Sequence, residues 1–181
     1  MTAFEFNIKD KHIFGNAQVS GDALVCGDAQ VSGNAWVSGY ARVSGNAQVC
    51  GNALVCGNAL VCGDAQVSGD ARVYGNARVY GNARVSGNAQ VYGYGIIEKT
   101  SDYLVIGPAK SSGRFTTAHK DSKIGIRVNC GCFSGTVKEF SKAIEKTHKH
   151  NKEHLEQYRL FCQLIAFNFN VDPDTGMPKD A

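Results

Sequence analysis

Proline is scarce in this chain, with three in 181 residues, and there are only one Trp and two Met. No run of 18 apolar residues occurs, so no membrane-spanning helix is expected. The opening Met-Thr-Ala-Phe-Glu-Phe-Asn has neither the basic start nor the apolar stretch of a secretory signal, which points to a cytoplasmic protein. An excess of one charge sign is missing too. Nineteen Lys and Arg against 16 Asp and Glu leave +3, split six against six over residues 1–97 and thirteen against ten over residues 98–181. A protein that coats nucleic acid, or mimics it, depends on a strong field of one sign, so nucleic acid is not an expected partner. The seven Cys are odd in number and belong to no short secreted framework, which favours reduced thiols over disulfides.

What is abundant is glycine, 21 residues, and it is periodic. From Gly15 to Tyr92 one unit, Gly-(Asn/Asp)-Ala-x-Val-(Ser/Cys/Tyr), repeats thirteen times without a gap, and only Tyr40 departs from Asn/Asp at the second position. A unit this short buries an apolar face only by stacking on its neighbours, so the period of six means a solenoid. Val alternating with polar or small residues reads as a short strand. Gly followed by Asn or Asp supplies the positive φ of a corner.

This pattern over residues 15–92 resembles the bacterial hexapeptide-repeat family. The resemblance implies a left-handed parallel β-helix, a triangular solenoid with three hexapeptides per coil, assembled as a homotrimer. Charge placement tests the coil length independently, because stacked positions avoid like charges. At a spacing of 6, Asp22 would meet Asp28, Asp64 would meet Asp70, and Arg72, Arg78 and Arg84 would align; at 12, Arg72 still meets Arg84; at 18 every such clash disappears. The thirteen copies then make just over four coils. At roughly 4.8 Å between stacked strands the column is about 21 Å tall.

In that register one face carries Gln18, Trp36, Leu54, Arg72 and Gln90, flanked by Ser20, Ser38, Cys56, Tyr74 and Tyr92. Stacked Trp36 and Leu54 form an apolar spot that a monomer would leave in water, so Trp36, Leu54, Tyr74 and Tyr92 are the candidate subunit interface. Arg72, Arg78 and Arg84 fall one on each face, where in a trimer each would reach a neighbouring surface. With Lys110 and Arg114 they are candidate contacts for a small anionic ligand such as a nucleotide. Acyltransferases of the hexapeptide family use a catalytic His on the coil and loops that break out of it, and its carbonic anhydrases place His ligands for zinc at the subunit boundary. Residues 15–92 contain no His and no insertion. No catalytic residue and no cofactor is therefore assigned, and acyl transfer stands only as a remote alternative. Cys26, Cys50, Cys56 and Cys62 occupy the place of Ser in their copies and read as small packing side chains.

Residues 1–14, with Phe4, Phe6, Ile8, Ile13 and Phe14, read as a cap on the first coil, and residues 15–97 as the solenoid. Residues 98–181, richer in Lys, His and aromatics and without the period, read as a small α+β domain of three strands and two helices. Strands are predicted over 102–106, 114–119 and 124–128, and helices near 136–148 and 152–167, the first opened by the capping box Thr136-Val-Lys-Glu139. The tail from Asn168 reads as irregular. Two features of this domain carry chemistry. Cys130-Gly-Cys132, with His119, His148, His150 and His154 nearby in sequence, offers soft-metal ligands, led by Cys130, Cys132 and His148. On a strand both thiols would share one face toward the core, so packing and a reactive thiol stand beside the metal reading. Lys110-Ser-Ser-Gly-Arg114 is a basic turn suited to a phosphate or carboxylate, with a solvated hairpin turn as the plainer reading.

Ile106-Gly-Pro, Asn129-Cys-Gly-Cys-Phe-Ser-Gly-Thr and Glu139-Phe through Thr147-His148 are together similar to a small module of uncharacterised phage and Firmicute-type bacterial proteins, in which it follows repeat arrays. That resemblance implies no activity. It implies a phage or mobile-element setting, in which the cytoplasm is the host bacterium's and the partner a host macromolecule such as a defence factor. The whole sequence reads as a non-enzymatic, homotrimeric scaffold whose solenoid presents its C-terminal domains to a partner protein. Capture of a small anionic ligand at subunit clefts is the alternative.

Overall fold

The computed structural model describes residues 12–110, 112–172 and 179, so the expected cap residues Phe4, Phe6 and Ile8 lie outside the described residues. From Gln18 the chain forms a two-residue strand every six residues: Gln18–Val19 (β1), Leu24–Val25 (β2), Gln30–Val31 (β3) and so on to Gln90–Val91 (β13), with Ile96–Ile97 (β14) following. Each strand pairs in parallel with the one eighteen residues on, as in Gln18↔Trp36, Leu24↔Arg42 and Gln30↔Gln48, and the strands build three sheets around one core. The coil of three repeats required by charge spacing is the coil observed. Ile13 continues the stack below, bridging to Val31. Inside the column every Ala and Val from Ala29 to Val91 is at most 1% exposed.

The polar corners are bonded along the column axis. Asn16 Nδ2 donates to Asn34 Oδ1, Asn34 to Asn52, and Asn52 to Asp70, at 3.3, 3.1 and 3.0 Å. On another corner Asn46 donates to Asp64 at 2.9 Å. An amide both accepts and donates, whereas a carboxylate only accepts. Interleaving Asn with Asp therefore gives Asp64 and Asp70 each a donor below it and keeps like charges apart.

Corner glycines allow this stacking, and two of them separate its causes. Gly51 has φ 73°, and a Cβ there would lie 2.9 Å from Gly69 N in the next coil; Gly87 has φ 65° with nothing within 4 Å. Both substitutions to Ala meet the left-handed backbone cost of about 1–2 kcal/mol, but only Gly51→Ala also forces two coils apart. Gly51→Ala is expected to destabilise by about 2 kcal/mol more than Gly87→Ala in chemical denaturation. Equal losses would show that close stacking is not what Gly51 protects.

After a short 3-10 turn at Thr100–Asp102 come Tyr103–Ile106 (β15), Thr116–Asp121 (β16), Gly125–Cys130 (β17) and Phe133–Thr136 (β18), an antiparallel meander in that order. Val137–His148 (α1) and Lys152–Phe169 (α2) pack on it through Val137, Phe140, Ile144, Tyr158, Cys162 and Ile165. The sheet thus has four strands where the sequence predicted three. Gly131, at φ 58°, turns the chain back immediately after Cys130, and the returning strand is only four residues with Ser and Gly at its centre. The capping box is present: Thr136 Oγ1 accepts from Glu139 N–H at 3.2 Å and Glu139 Oε2 accepts from Thr136 N–H at 2.8 Å. The start of the tail is more regular than predicted, while its residues 173–178, 180 and 181 lie outside the described residues. Helix α2 continues to Phe169, where Asn170 in the left-handed conformation (φ 51°) caps Ala166 and Phe167, and Val171 is buried.

Candidate functional site

Within the column a strand N–H donates upward to a carbonyl of the next coil, as Gln18 N–H does to Ala35 O. The last coil has no next coil, and buried N–H groups without acceptors are costly. The C-terminal domain supplies side chains in their place. Gln90, Tyr92 and Tyr94 N–H donate to Thr117 Oγ1, His119 Nε2 and Asp121 Oδ2 at 3.0, 3.3 and 3.1 Å. These acceptors are alternate residues of β16, so one face of that strand matches alternate N–H groups of the coil. On another side Arg84 and Ser86 N–H donate to Thr100 Oγ1 and the Tyr103 hydroxyl at 3.1 and 3.2 Å. Asn129 Nδ2 returns a bond to Gln90 O at 3.0 Å.

His119 is fully buried in this junction. Its Nδ1 lies 2.9 Å from Lys120 O, a pure acceptor, so Nδ1 carries the proton and Nε2 is bare to accept from Tyr92 and from Asn129 Nδ2 at 3.2 Å. Burial holds its pKa down at about 4, so the ring is neutral at pH 7. Both nitrogens are committed, which removes His119 from the metal-ligand candidates. Asp121, whose side chain is 0% exposed, pairs with Arg127 Nε at 2.6 Å and also accepts from Lys123 and Ile124 N–H. Burial pushes its carboxyl up, but the Arg127 bond and the Lys123 and Tyr94 N–H bonds outweigh it and hold the pKa below the ordinary carboxylate value.

A second feature lies elsewhere on the domain, where Arg114, Cys130, Cys132 and His148 line one cleft of about 160 Å³ together with Phe140 and Tyr158. Four residues singled out in the sequence for chemistry therefore meet, though not as a metal centre. Cys130 points inward, 9% exposed, with its S–H donating to the Tyr158 hydroxyl at 3.9 Å. Cys132 is exposed on the turn, because Gly131 and Cys132 form a hairpin turn and not the single strand that would put both thiols on one face. His148 stacks on the Tyr158 ring at 5.2 Å between centroids, and His154 meets the His148 ring edge-to-face at 5.5 Å. His150 precedes α2, which begins at Lys152 with Asn151 as its cap. Among the described residues no three His, Cys, Asp or Glu side chains are grouped to hold a metal ion, so the Cys130, Cys132 and His148 set is corrected to cleft wall, turn and stacking partner.

The remaining candidates are placed separately. Lys110 bonds Glu153 at 2.9 Å on the surface, apart from Arg114. Arg72, Arg78 and Arg84 belong to three different sheets and are exposed, so a single chain does not bring them together. Trp36 is 49% exposed and donates Nε1–H to Ser20 Oγ at 3.1 Å, next to the half-buried Leu54. Tyr74 and Tyr92 stack on each other at 4.6 Å between centroids, so they cover one another within the chain. Sequence reasoning missed Tyr158 and Phe140 as parts of the cleft. Tyr158 and Phe140 carry only the helical spacing of core residues, and nothing in the sequence reports where the Tyr158 hydroxyl ends.

Residues 29–45, 47–63, 65–79 and 77–93 match the family described as YdcK Beta solenoid repeat. The repeat column is a β-solenoid. The matched stretches of this solenoid stop at residue 93, within the coil that the C-terminal domain caps. No curated protein and no solved structure matches the chain. Among the described residues no helix is long and apolar enough to cross a membrane.

Proposed function

We propose that the protein is a non-enzymatic binding scaffold, in which a homotrimeric solenoid holds its C-terminal domains in fixed geometry toward a partner macromolecule. The junction supports this reading. Five N–H groups of the solenoid end on side chains of the C-terminal domain, and Asp121 and Arg127 pair beside them. A flexible tether needs none of these bonds, whereas fixed spacing of repeated sites raises avidity by about 10²–10⁴ when the partner is itself multivalent. A host macromolecule, such as a defence factor, is the partner class implied by the resemblance of the C-terminal module.

Trimer formation assigns a place to Trp36, the largest apolar side chain exposed on the solenoid faces, and to Leu54 beside it. Native mass spectrometry of gently purified protein is expected to show three chains, and Trp36→Ser combined with Leu54→Gln is expected to shift the mass to one chain. A wild-type monomer at micromolar concentration would overturn the scaffold reading. Removing residues 98–181 is a poor substitute for this test, because the cut strips the solenoid of its N–H acceptors.

A further inference from the structure

The cleft of the C-terminal domain presents a cation without an anion. Lys110, Lys120, Arg127 and Arg159 each pair with a carboxylate, but among the described residues Arg114 has no such partner. Its guanidinium nevertheless has a definite seat over the turn, where a Cβ on Gly131 would come within 3.0 Å of Nη1 and 3.3 Å of Cζ.

Aromatic rings form much of the rest of the cleft. Phe133 packs on Phe140 at 5.2 Å between centroids, Phe140 meets Tyr158 edge-on at 6.1 Å, and His148 lies flat on Tyr158. Its volume, about 160 Å³, is close to the ~150 Å³ that accommodates a benzene ring. Tyr158 O accepts from Cys130 S–H at 3.9 Å and shares a hydrogen bond of 3.1 Å with Ser112 Oγ. Ser112 Oγ also accepts from the Arg114 backbone N–H at 3.3 Å, which ties the turn that carries the guanidinium to Tyr158.

We propose that this cleft binds a small planar carboxylate, with a ring-sized apolar body against Phe140 and Tyr158 and the carboxylate on the Arg114 guanidinium. The forked guanidinium matches a carboxylate in two parallel bonds. Among the described residues Arg114 is the one Lys or Arg in the lining, so a second negative charge meets no second cation there, which disfavours phosphate. The same chemistry is offered by a free aromatic acid and by the carboxyl terminus of a peptide ending in Phe. The proposal rests on the C-terminal domain being the binding end of the protein, and it is independent of trimer formation.

The test uses the full chain in ligand-observed NMR with benzoate, benzamide, inorganic phosphate, and Gly-Gly-Phe with a free or an amidated terminus. Benzoate or the free-terminus peptide is expected to bind, with benzamide and the amidated peptide weaker by about tenfold, the loss expected for one charge-assisted pair. Whichever of the two acids binds identifies the source. Arg114→Gln is expected to weaken that binding about tenfold, and Thr147→Trp, at an exposed position on the cleft rim, to block it, both with unchanged thermal melting. Benzamide binding as well as benzoate, phosphate competing as strongly, or no binding by either acid would overturn the proposal. A wild-type monomer that binds benzoate removes the scaffold reading and keeps this one, and a trimer that ignores both acids does the reverse.

Discussion

Asp121→Ala is expected to lower unfolding stability by about 3–5 kcal/mol, the range for removing one partner of a buried ion pair. The Asp121 carboxylate is wholly buried and joins both parts of the protein: Oδ2 accepts from Tyr94 N–H of the solenoid and from Arg127 Nε, and Oδ1 accepts from Lys123 and Ile124 N–H. Deleting it leaves a guanidinium that is only 15% exposed and three N–H groups without their acceptor. The surrounding backbone has no slack, since Gly93 already touches the Arg127 side chain so closely that a Cβ there would lie 2.7 Å from Nε. Asp121→Asn keeps an acceptor but loses the charge, so a smaller loss is expected. Lys110→Ala, which breaks a pair that is 82% and 71% exposed, serves as the control with little expected loss. Denaturant titration gives the ranking, and limited proteolysis between residues 97 and 100 reports whether the junction opens. An Asp121→Ala loss no larger than that of Lys110→Ala would show that the two parts stand independently.

The solenoid was legible because one physical rule, stacking without like-charge contact, fixes period, coil length and the identity of each corner column. Position by position, Gln18, Trp36, Leu54 and Arg72 occupy the sheet assigned to them by spacing alone. The junction was not legible. Thr117, His119 and Asp121 alternate in a strand, and polar residues at alternate positions read equally well as a solvated face. Only the free N–H groups of the last coil turn that face inward, and those groups come from residues 27 positions earlier in the chain. The cleft was half legible. Arg114, Cys130, Cys132 and His148 drew notice for their chemistry, but the tight turn at Gly131 separates the two thiols, and the aromatic wall came from helix positions that any core would use.

His119 sets the pH range of the junction. Burial lowers its pKa from the ordinary 6.5 to about 4, against the raising effects of the Lys120 carbonyl and of Asp121 and with a lowering contribution from Arg127. Above about pH 6.5 the ring is neutral in both folded and unfolded chains, and its contribution is complete. Between 6.5 and about 4 only the unfolded chain takes up the proton, so stability falls as the pH falls. The full step is about 3 kcal/mol at about 1.4 kcal/mol per decade. Protonation also turns Nε2 from acceptor to donor against Tyr92 N–H and Asn129 Nδ2, both donors, so acid acts on the bond that caps the solenoid. The carboxylates add a separate, lower step. Asp102 and Asp121 both sit below their ordinary 3.8, because for each a cationic partner and backbone N–H bonds outweigh burial, so their contribution is lost only as the pH falls below that value. Denaturation midpoints at pH 7, 5.5 and 4.5 are expected to fall steadily. His119→Gln, whose amide oxygen replaces Nε2 as acceptor without titrating, is expected to flatten that slope. A wild-type protein equally stable at pH 7 and 4.5 would mean that the ring is not held neutral in the junction, and the side-chain cap of the solenoid would then need another acceptor for Tyr92.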